Sequence, residues 1–228
     1  MAPVLIIGAG GHALVVIEAL RACGRPIAGL LDDAPGRESG AAPLLGCAIL
    51  GATALLPRLR AEGVAEAVIA IGDNATRETL GARCEAAGFS LPPLVHPTAL
   101  VSPSASLGAG SQVMARALLG PLARLGRLVL VNTGAIVEHE CRLDDAAHLG
   151  PGAVLCGGVT LGRRALVAAG AVVRPAVLIG ADALVAPGAA VAGPVPDGAC
   201  LGGVPARPIA RAATAQGAPS GARAARAD

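Results

Sequence analysis

From Val95 to Pro196 the chain repeats every six residues. The first residue of each step is Val95, Val101, Leu107, Val113, and so on to Val191, seventeen times without a polar residue. The fifth residue is always small or short: Ala99, Ala105, Ser111, Ala117, Ala123, Val129, Ala135, Cys141, onward to Val195. A period of six matches neither the 3.6 of a helix nor the 2.0 of an alternating strand, and it predicts a parallel β-helix. Three short strands joined by tight corners make one coil of about eighteen residues, with the aliphatic inside and the small residue beside it at the corner. Seventeen steps are just under six coils, a prism of about 27 Å at roughly 4.8 Å per strand. Gly110, Gly134, Gly152, Gly158, Gly170 and Gly188 occupy the fourth place, where a corner calls for positive φ.

The first 90 or so residues follow another pattern. Aliphatic runs at Val4 to Ile7, Ile27 to Leu31 and Ala67 to Ile71 predict three strands. Helical spacing follows over Leu14 to Cys23, Thr53 to Gly63 (opened by a threonine cap) and Ala75 to Ala87, with residues 34 to 50 as a Pro/Gly-rich connection. Such alternation implies a small Rossmann-like parallel sheet, an α/β domain with ligands at the carboxyl ends of its strands. Gly10, Gly11, His12, Asp32, Asp33 and Gly72 fall at those ends. The Gly8-x-Gly10-x-x-Ala13 turn can cradle a diphosphate on amides at a helix start, or it is simply a tight turn. One mononucleotide half fits in this length, whereas a whole NAD does not. The expected domains are residues 1–92 (Rossmann-like), 93–211 (β-helix with a C-terminal cap) and 212–228, a disordered Ala/Gly/Arg tail.

Composition narrows the function classes. The hydrophobic fraction is 54% and the mean hydropathy +0.64, yet no apolar run reaches the roughly 18 to 20 residues of a membrane span. Residues 1 to 20 carry His12 and Glu18 and lack a basic start, so no signal peptide is read and a cytoplasmic location is expected. The net charge is +2, all 18 basic residues are Arg, and Phe89 is the single aromatic, which disfavours a nucleic-acid partner. The six cysteines show no CxxC pairing, and Cys141 is expected to fill the core.

Against bland outward positions in the repeat, Asn132, Glu138-His139-Glu140, Asp144-Asp145 and His148 stand out. An outward histidine is by default solvated surface. One flanked by carboxylates that hold its ring and raise its basicity meets the needs of a general base near neutral pH.

Taken together, the GxGGH turn at Gly8 to His12, Asp32-Asp33, Ile71 to Asn74, His96-Pro97-Thr98-Ala99, Asn132-Thr133 and Val137 to Cys141 resemble the bacterial nucleotide-amino-sugar N-acetyltransferases. These are sister to the sialic-acid O-acetyltransferase type, and the resemblance spans about residues 3 to 209. It implies a left-handed prism and acetyl-CoA as co-substrate, with no metal. It implies direct transfer to the amine of a nucleotide-linked 4-amino-4,6-dideoxy sugar. His139 corresponds to the family's base and Glu140 to the carboxylate that supports it. His148 corresponds to a residue that hydrogen-bonds acetyl-CoA, and Ala169 and Pro187 to backbone contacts with pantetheine. Proline stands at 187 where the family commonly has glycine, so no N–H is available there. Gly203 to Arg207 is similar to the family's closing signature, with Arg207 either meeting a CoA phosphate or capping the prism. Gly10, Gly11, His12, Asp32, Asp33, Gly72 and Asn132 correspond to sugar-nucleotide positions. Trimers with the cofactor between neighbouring prisms are implied.

Three other readings share parts of these features. A sialic-acid-type O-acetyltransferase keeps the histidine and changes the acceptor to a hydroxyl. A γ-type carbonic anhydrase needs three zinc-binding histidines, and His96, His139 and His148 are not spaced for a shared site. A non-catalytic β-helix leaves the glycine turn and the His-Glu cluster without a role.

Overall fold

The computed structural model describes residues 2–210, so the tail expected at 212–228 lies outside the described residues. The N-terminal domain is built on four parallel strands, β1 (Val4–Ile7), β2 (Ile27–Leu31), β3 (Ile49–Gly51) and β4 (Glu66–Ile69), in the order β3-β2-β1-β4. Three of these follow the aliphatic runs, the last shifted one residue earlier and ending two residues sooner than expected. The fourth, β3, begins inside the segment expected to be connection only, at Ile49, and ends one residue past it.

Three helices complete the domain, α1 (Gly11–Ala22), α2 (Leu56–Ala61) and α3 (Asn74–Ala86). Asp73 caps α3 by accepting from the Thr76 N–H at 2.8 Å. Thr53 does not act as the helix cap expected of it. It sits inside a short 3₁₀ turn preceding α2, and its N–H and hydroxyl both donate to Asp33, at 2.7 and 2.6 Å.

From Leu94 onward the chain is the β-helix. Strands pair in parallel with partners eighteen residues away, as in Arg124 with Arg142, Leu130 with His148 and Ile136 with Val154. From Leu94 to Val191 each strand is two residues long, and its second residue points inward. Val113, Val131, Val137, Leu149, Leu155 and Leu161 are fully buried. Burying one such side chain contributes about 1.5–3 kcal/mol, repeated along the axis. The small fifth-place residues Ala135, Cys141, Ala147 and Ala153 are equally buried beside them.

Every fourth place from Gly110 to Gly188 has positive φ, including Arg116, Leu122, Leu128, Glu140, Ala146, Arg164, Ala176 and Asp182. The coil itself imposes this conformation, so the left-handed backbone of Glu140 carries no functional meaning by itself.

Residues in the sixth place point outward and give each face its character. A docking face carries Leu94, Gln112, Leu130, His148, Leu166 and Leu184. An aliphatic face carries Leu100, Leu118, Ile136, Val154, Val172 and Ala190, and a polar face begins Ser106, Arg124, Arg142, Thr160. The N-terminal domain packs on the docking face, where Leu94, Met114 and Leu130 join the core around α1. Helix α3 lies along the edge between the polar and docking faces. A methyl on Gly81 would come within 2.4 Å of Leu128, and Glu78 takes two 2.8 Å hydrogen bonds from Arg163. A short hairpin, Cys200–Gly202 with Arg207–Pro208, closes the far end. Among the described residues no helix is long and apolar enough to cross a membrane.

Candidate functional site

The strand order reverses at β1, and a doubly wound sheet leaves its ligand crevice at that point, beyond the carboxyl ends of the strands. The Gly8–His12 turn after β1 and Gly72 after β4 flank it. The three turn glycines differ. Gly8 has φ +107, and a Cβ there would lie 2.6 Å from the Ile71 side chain and 2.9 Å from the Ala70 carbonyl, so the fold requires it. A Cβ on Gly10 or Gly11 would meet nothing within 4 Å, and neither has a left-handed φ. Their missing side chains leave open space at the start of α1, whose cap residue Gly10 supplies no side chain and whose first turn carries no acid. Amides at a twelve-residue helix start suit an anion.

The two aspartates after β2 are largely engaged. Asp32 accepts from the Ala9 N–H at 2.6 Å and the Ala34 N–H at 2.8 Å. Asp33 takes both Thr53 bonds and has Arg83 at 3.6 Å. Partial burial opposes its ionisation, but the Thr53 hydrogen bonds and the Arg83 charge hold its carboxyl below the usual range. Both carboxylates border a pocket of about 190 Å³, with Ile7, Gly8, Leu31 and Thr53.

His12 connects this crevice to the prism. Its Nε2 is 3.0 Å from Gln112 Oε1, and Gln112 donates in turn to the Ile69 carbonyl at 2.7 Å. Gln112 and His148 stand on the same face, either side of Leu130. His148 Nε2 is 3.4 Å from Asn132 Nδ2, while its Nδ1 is buried without a hydrogen-bond partner among the described residues. Burial, then the charge of Arg77 and the neighbouring His12 ring when protonated, push His148 down to about 3. Burial likewise lowers His12, partly offset by Gln112. Both imidazoles are therefore neutral at pH 7. Asn132, the exposed Ala169 and the exposed Pro187 follow one another along the edge between the docking and aliphatic faces. The Ala169 N–H makes no hydrogen bond among the described residues, and Pro187 has no N–H to offer. Arg207 is exposed at the closing hairpin and borders a cavity of about 350 Å³.

His139 is elsewhere. It sits at the edge between the aliphatic and polar faces, half a coil before His148, across the thickness of the prism from the docking face. The ring is 57% exposed, with Nδ1 3.0 Å from Glu140 Oε2. With Nδ1–H donating to that carboxylate, Nε2 presents its lone pair outward. Cys141 is buried, and burial raises its thiol pKa, so it offers no nucleophile beside the histidine. Among the described residues no three His, Cys, Asp or Glu side chains are grouped to hold a metal.

The chain thus brings together Gly10, Gly11, His12, Gly72, Asn132 and His148, and leaves His139 and Glu140 apart from them. Three participants escaped the sequence reading: Gln112, the buried Arg77 and Gly157, whose backbone lies against the His139 ring. Taking the sixth place every eighteen residues would have shown Gln112 and His148 as the polar pair of one face.

The PglD N-terminal domain family matches residues 3–83. The perosamine N-acetyltransferase PerB of Caulobacter crescentus, solved with CoA and GDP-perosamine, is 45% identical over 92% of this chain and 98% of that one, with a TM-score of 0.87. A variant of that enzyme with a histidine replaced by asparagine gives 0.88 at the same identity and coverage. The acetyltransferase domain of PglB from Neisseria gonorrhoeae, solved with acetyl coenzyme A, is 36% identical over 91% and 98%, at 0.84. WeeI from Acinetobacter baumannii, at 21% identity and 0.71, shares the fold. None of the curated proteins matches the chain. Across these likenesses the left-handed β-helix behind a small parallel-sheet domain is common ground, and the chain belongs to the nucleotide-amino-sugar N-acetyltransferases.

Proposed function

We propose that the protein transfers the acetyl group of acetyl-CoA to the amine of a nucleotide-linked 4-amino-4,6-dideoxy sugar, with His139 as general base. The observation that carries the mechanism is the exposed imidazole with Nδ1 held by Glu140 and Nε2 free. The GDP-perosamine bound by a 45% identical neighbour makes a GDP-linked sugar the first substrate to test.

The amine nitrogen must carry a lone pair to attack the thioester carbonyl. As the C–N bond forms, Nε2 takes the amine proton and the Nδ1–H bond to Glu140 stabilises the imidazolium. Collapse of the tetrahedral intermediate expels the CoA thiolate, which regains a proton. No acyl-enzyme is needed. Gly10, Gly11 and the first amides of α1 receive the diphosphate, with His12, Asp32, Asp33, Gly72 and Asn132 around the nucleotide and sugar. His148 and the free Ala169 N–H hold the pantetheine arm. Pro187 contributes apolar contact only, and Arg207 meets a phosphate or caps the prism.

One chain cannot complete this site, because His139 and His148 occupy opposite sides of the prism. Both of the edges concerned border the aliphatic face, where Leu100 and Val172 are 67% and 43% exposed. Three copies with that face turned toward a common axis bring the His139 edge of one copy against the Asn132–Ala169 edge of the next. A homotrimer with sites between subunits is therefore the assembly proposed.

The test is thiol release from acetyl-CoA with GDP- and UDP-linked 4-amino sugars, with free sialic acid as the O-acetylation control. His139→Ala is expected to lower kcat about 10² to 10⁴-fold, the usual worth of a general base. Near wild-type turnover in that variant removes His139 from the mechanism, and sialic acid as the better acceptor overturns the amine assignment.

A further inference from the structure

Gly157 lies one coil beyond His139 on the same edge, and its neighbour Gly158 donates to the His139 carbonyl at 2.9 Å. A Cβ at 157 would stand 2.4 Å from both Cε1 and Nε2 of His139 and 3.1 Å from Cδ2. Those distances are far inside van der Waals contact, so no side chain fits while the ring keeps its place. The backbone does not itself ask for glycine, since Gly157 is not among the residues with positive φ. Nor does its place in the repeat. The third places along this edge are Pro103, Pro121, His139, Gly157, Pro175 and Gly193, and the other edges carry Arg127, Thr133, Asp145 and Arg163 there.

The shelf beneath the ring is fixed from above. Gly157 accepts the Ala176 N–H at 2.9 Å from the next coil, while its own N–H makes no hydrogen bond among the described residues. The imidazole is therefore constrained twice, by Glu140 at Nδ1 and by a flat glycine backbone against its Nε2–Cε1 side. A carboxylate alone leaves the exposed ring free to turn about the Nδ1 contact, whereas the shelf sets its plane.

We propose that Gly157 is a positioning residue for acetyl transfer, the missing side chain being what seats the His139 ring with Nε2 toward the acceptor amine. This rests on the reading of His139 as general base and goes beyond it by naming the residue that orients that base. Misplacing a reacting group by about 1 Å costs on the order of 10²-fold.

The experiment is a double-mutant cycle of Gly157→Ala and His139→Ala in the full-length protein, followed by kcat, both KM values, the melting temperature and the NMR signals of the His139 ring. The expected result for Gly157→Ala is a kcat about 10- to 100-fold lower, with both KM values within about threefold. The melting temperature should be nearly unchanged and the His139 ring signals displaced. In the His139→Ala background the added methyl should change kcat less than about twofold, because the ring it displaces is absent. An equal loss in both backgrounds overturns the positioning role and indicates general distortion of the corner. An undiminished kcat in Gly157→Ala with a disabled His139→Ala overturns it too, and leaves the base assignment standing. If His139→Ala retains activity, the base assignment falls, and unmoved ring signals in Gly157→Ala would then refute the shelf independently.

Discussion

Arg77 donates from Nε to the Leu128 carbonyl at 2.9 Å, from a side chain with no exposed surface. Its other nitrogens reach the carbonyls of Ala146 at 2.7 Å and Gly72 at 3.0 Å, and the Asn74 side chain at 2.7 Å. One guanidinium thus joins the prism edge to the loop beside the proposed nucleotide crevice. Burial lowers its pKa to about 10, against the pull of Asp73 and Glu78, so it stays charged at pH 7. Arg77→Met keeps the length and strands these carbonyls, each costing about 1–3 kcal/mol when buried unpaired. A clear drop in melting temperature is expected, together with a raised KM for the nucleotide sugar as the Gly72 loop loosens. Differential scanning fluorimetry and steady-state kinetics check both.

Gly8 and Gly10 make a matched pair. Gly8→Ala must place a Cβ against Ile71 and Ala70 at φ +107 and should destabilise the domain by several kcal/mol or prevent folding. A Cβ at position 10 meets no protein atom, so the melting temperature of Gly10→Val should stay near wild type while KM for the nucleotide sugar rises at least about tenfold. Unchanged KM in the folded Gly10→Val variant would return the turn to a purely structural role.

Acid should weaken the fold before most carboxylates titrate. His148 has a folded pKa of about 3 against 6.5 when unfolded, and burial depresses His12 in the same direction. Below pH 6.5 the unfolded chain therefore takes up protons that the folded chain refuses. The related stability is fully present above 6.5 and erodes as the pH falls toward the folded values, by about 1.4 kcal/mol per pH unit for one full proton. Denaturant unfolding at pH 7, 6 and 5 should show that decline, and His148→Gln should flatten it.

How much was legible in the sequence follows from how local each feature is. The eighteen-residue register, the inward Cys141 and the left-handed fourth places came directly from the period, because each coil repeats the same local contacts. Strand β3 was hidden, since its three residues between glycine- and proline-rich turns show no alternation and are held by pairing with β2. Arg77 looks like any charged residue of a polar helix until Leu128 and Ala146 close over it. Gly157 looks like one more corner glycine, and only the ring stacked against it distinguishes it. The separation of His139 from His148 was already implicit in their nine-residue spacing, half a coil, once the coil length is accepted.

That separation yields the most demanding prediction. If each site takes His139 from one copy and His148 with the Asn132–Ala169 edge from the next, two inactive variants can repair each other. His139→Ala and His148→Ala, purified apart, should each be nearly inactive. Dissociated and reassembled together in equal amounts, random trimers place an intact His139 opposite an intact His148 in about a quarter of sites. Recovered kcat should therefore approach about a quarter of wild type, above the sum of the separate variants. Val154→Arg on the aliphatic face should abolish the repair by putting a charge into the interface, and should shift the wild-type background toward monomer in light scattering. Sites contained within one chain would leave the mixture as inactive as its parts.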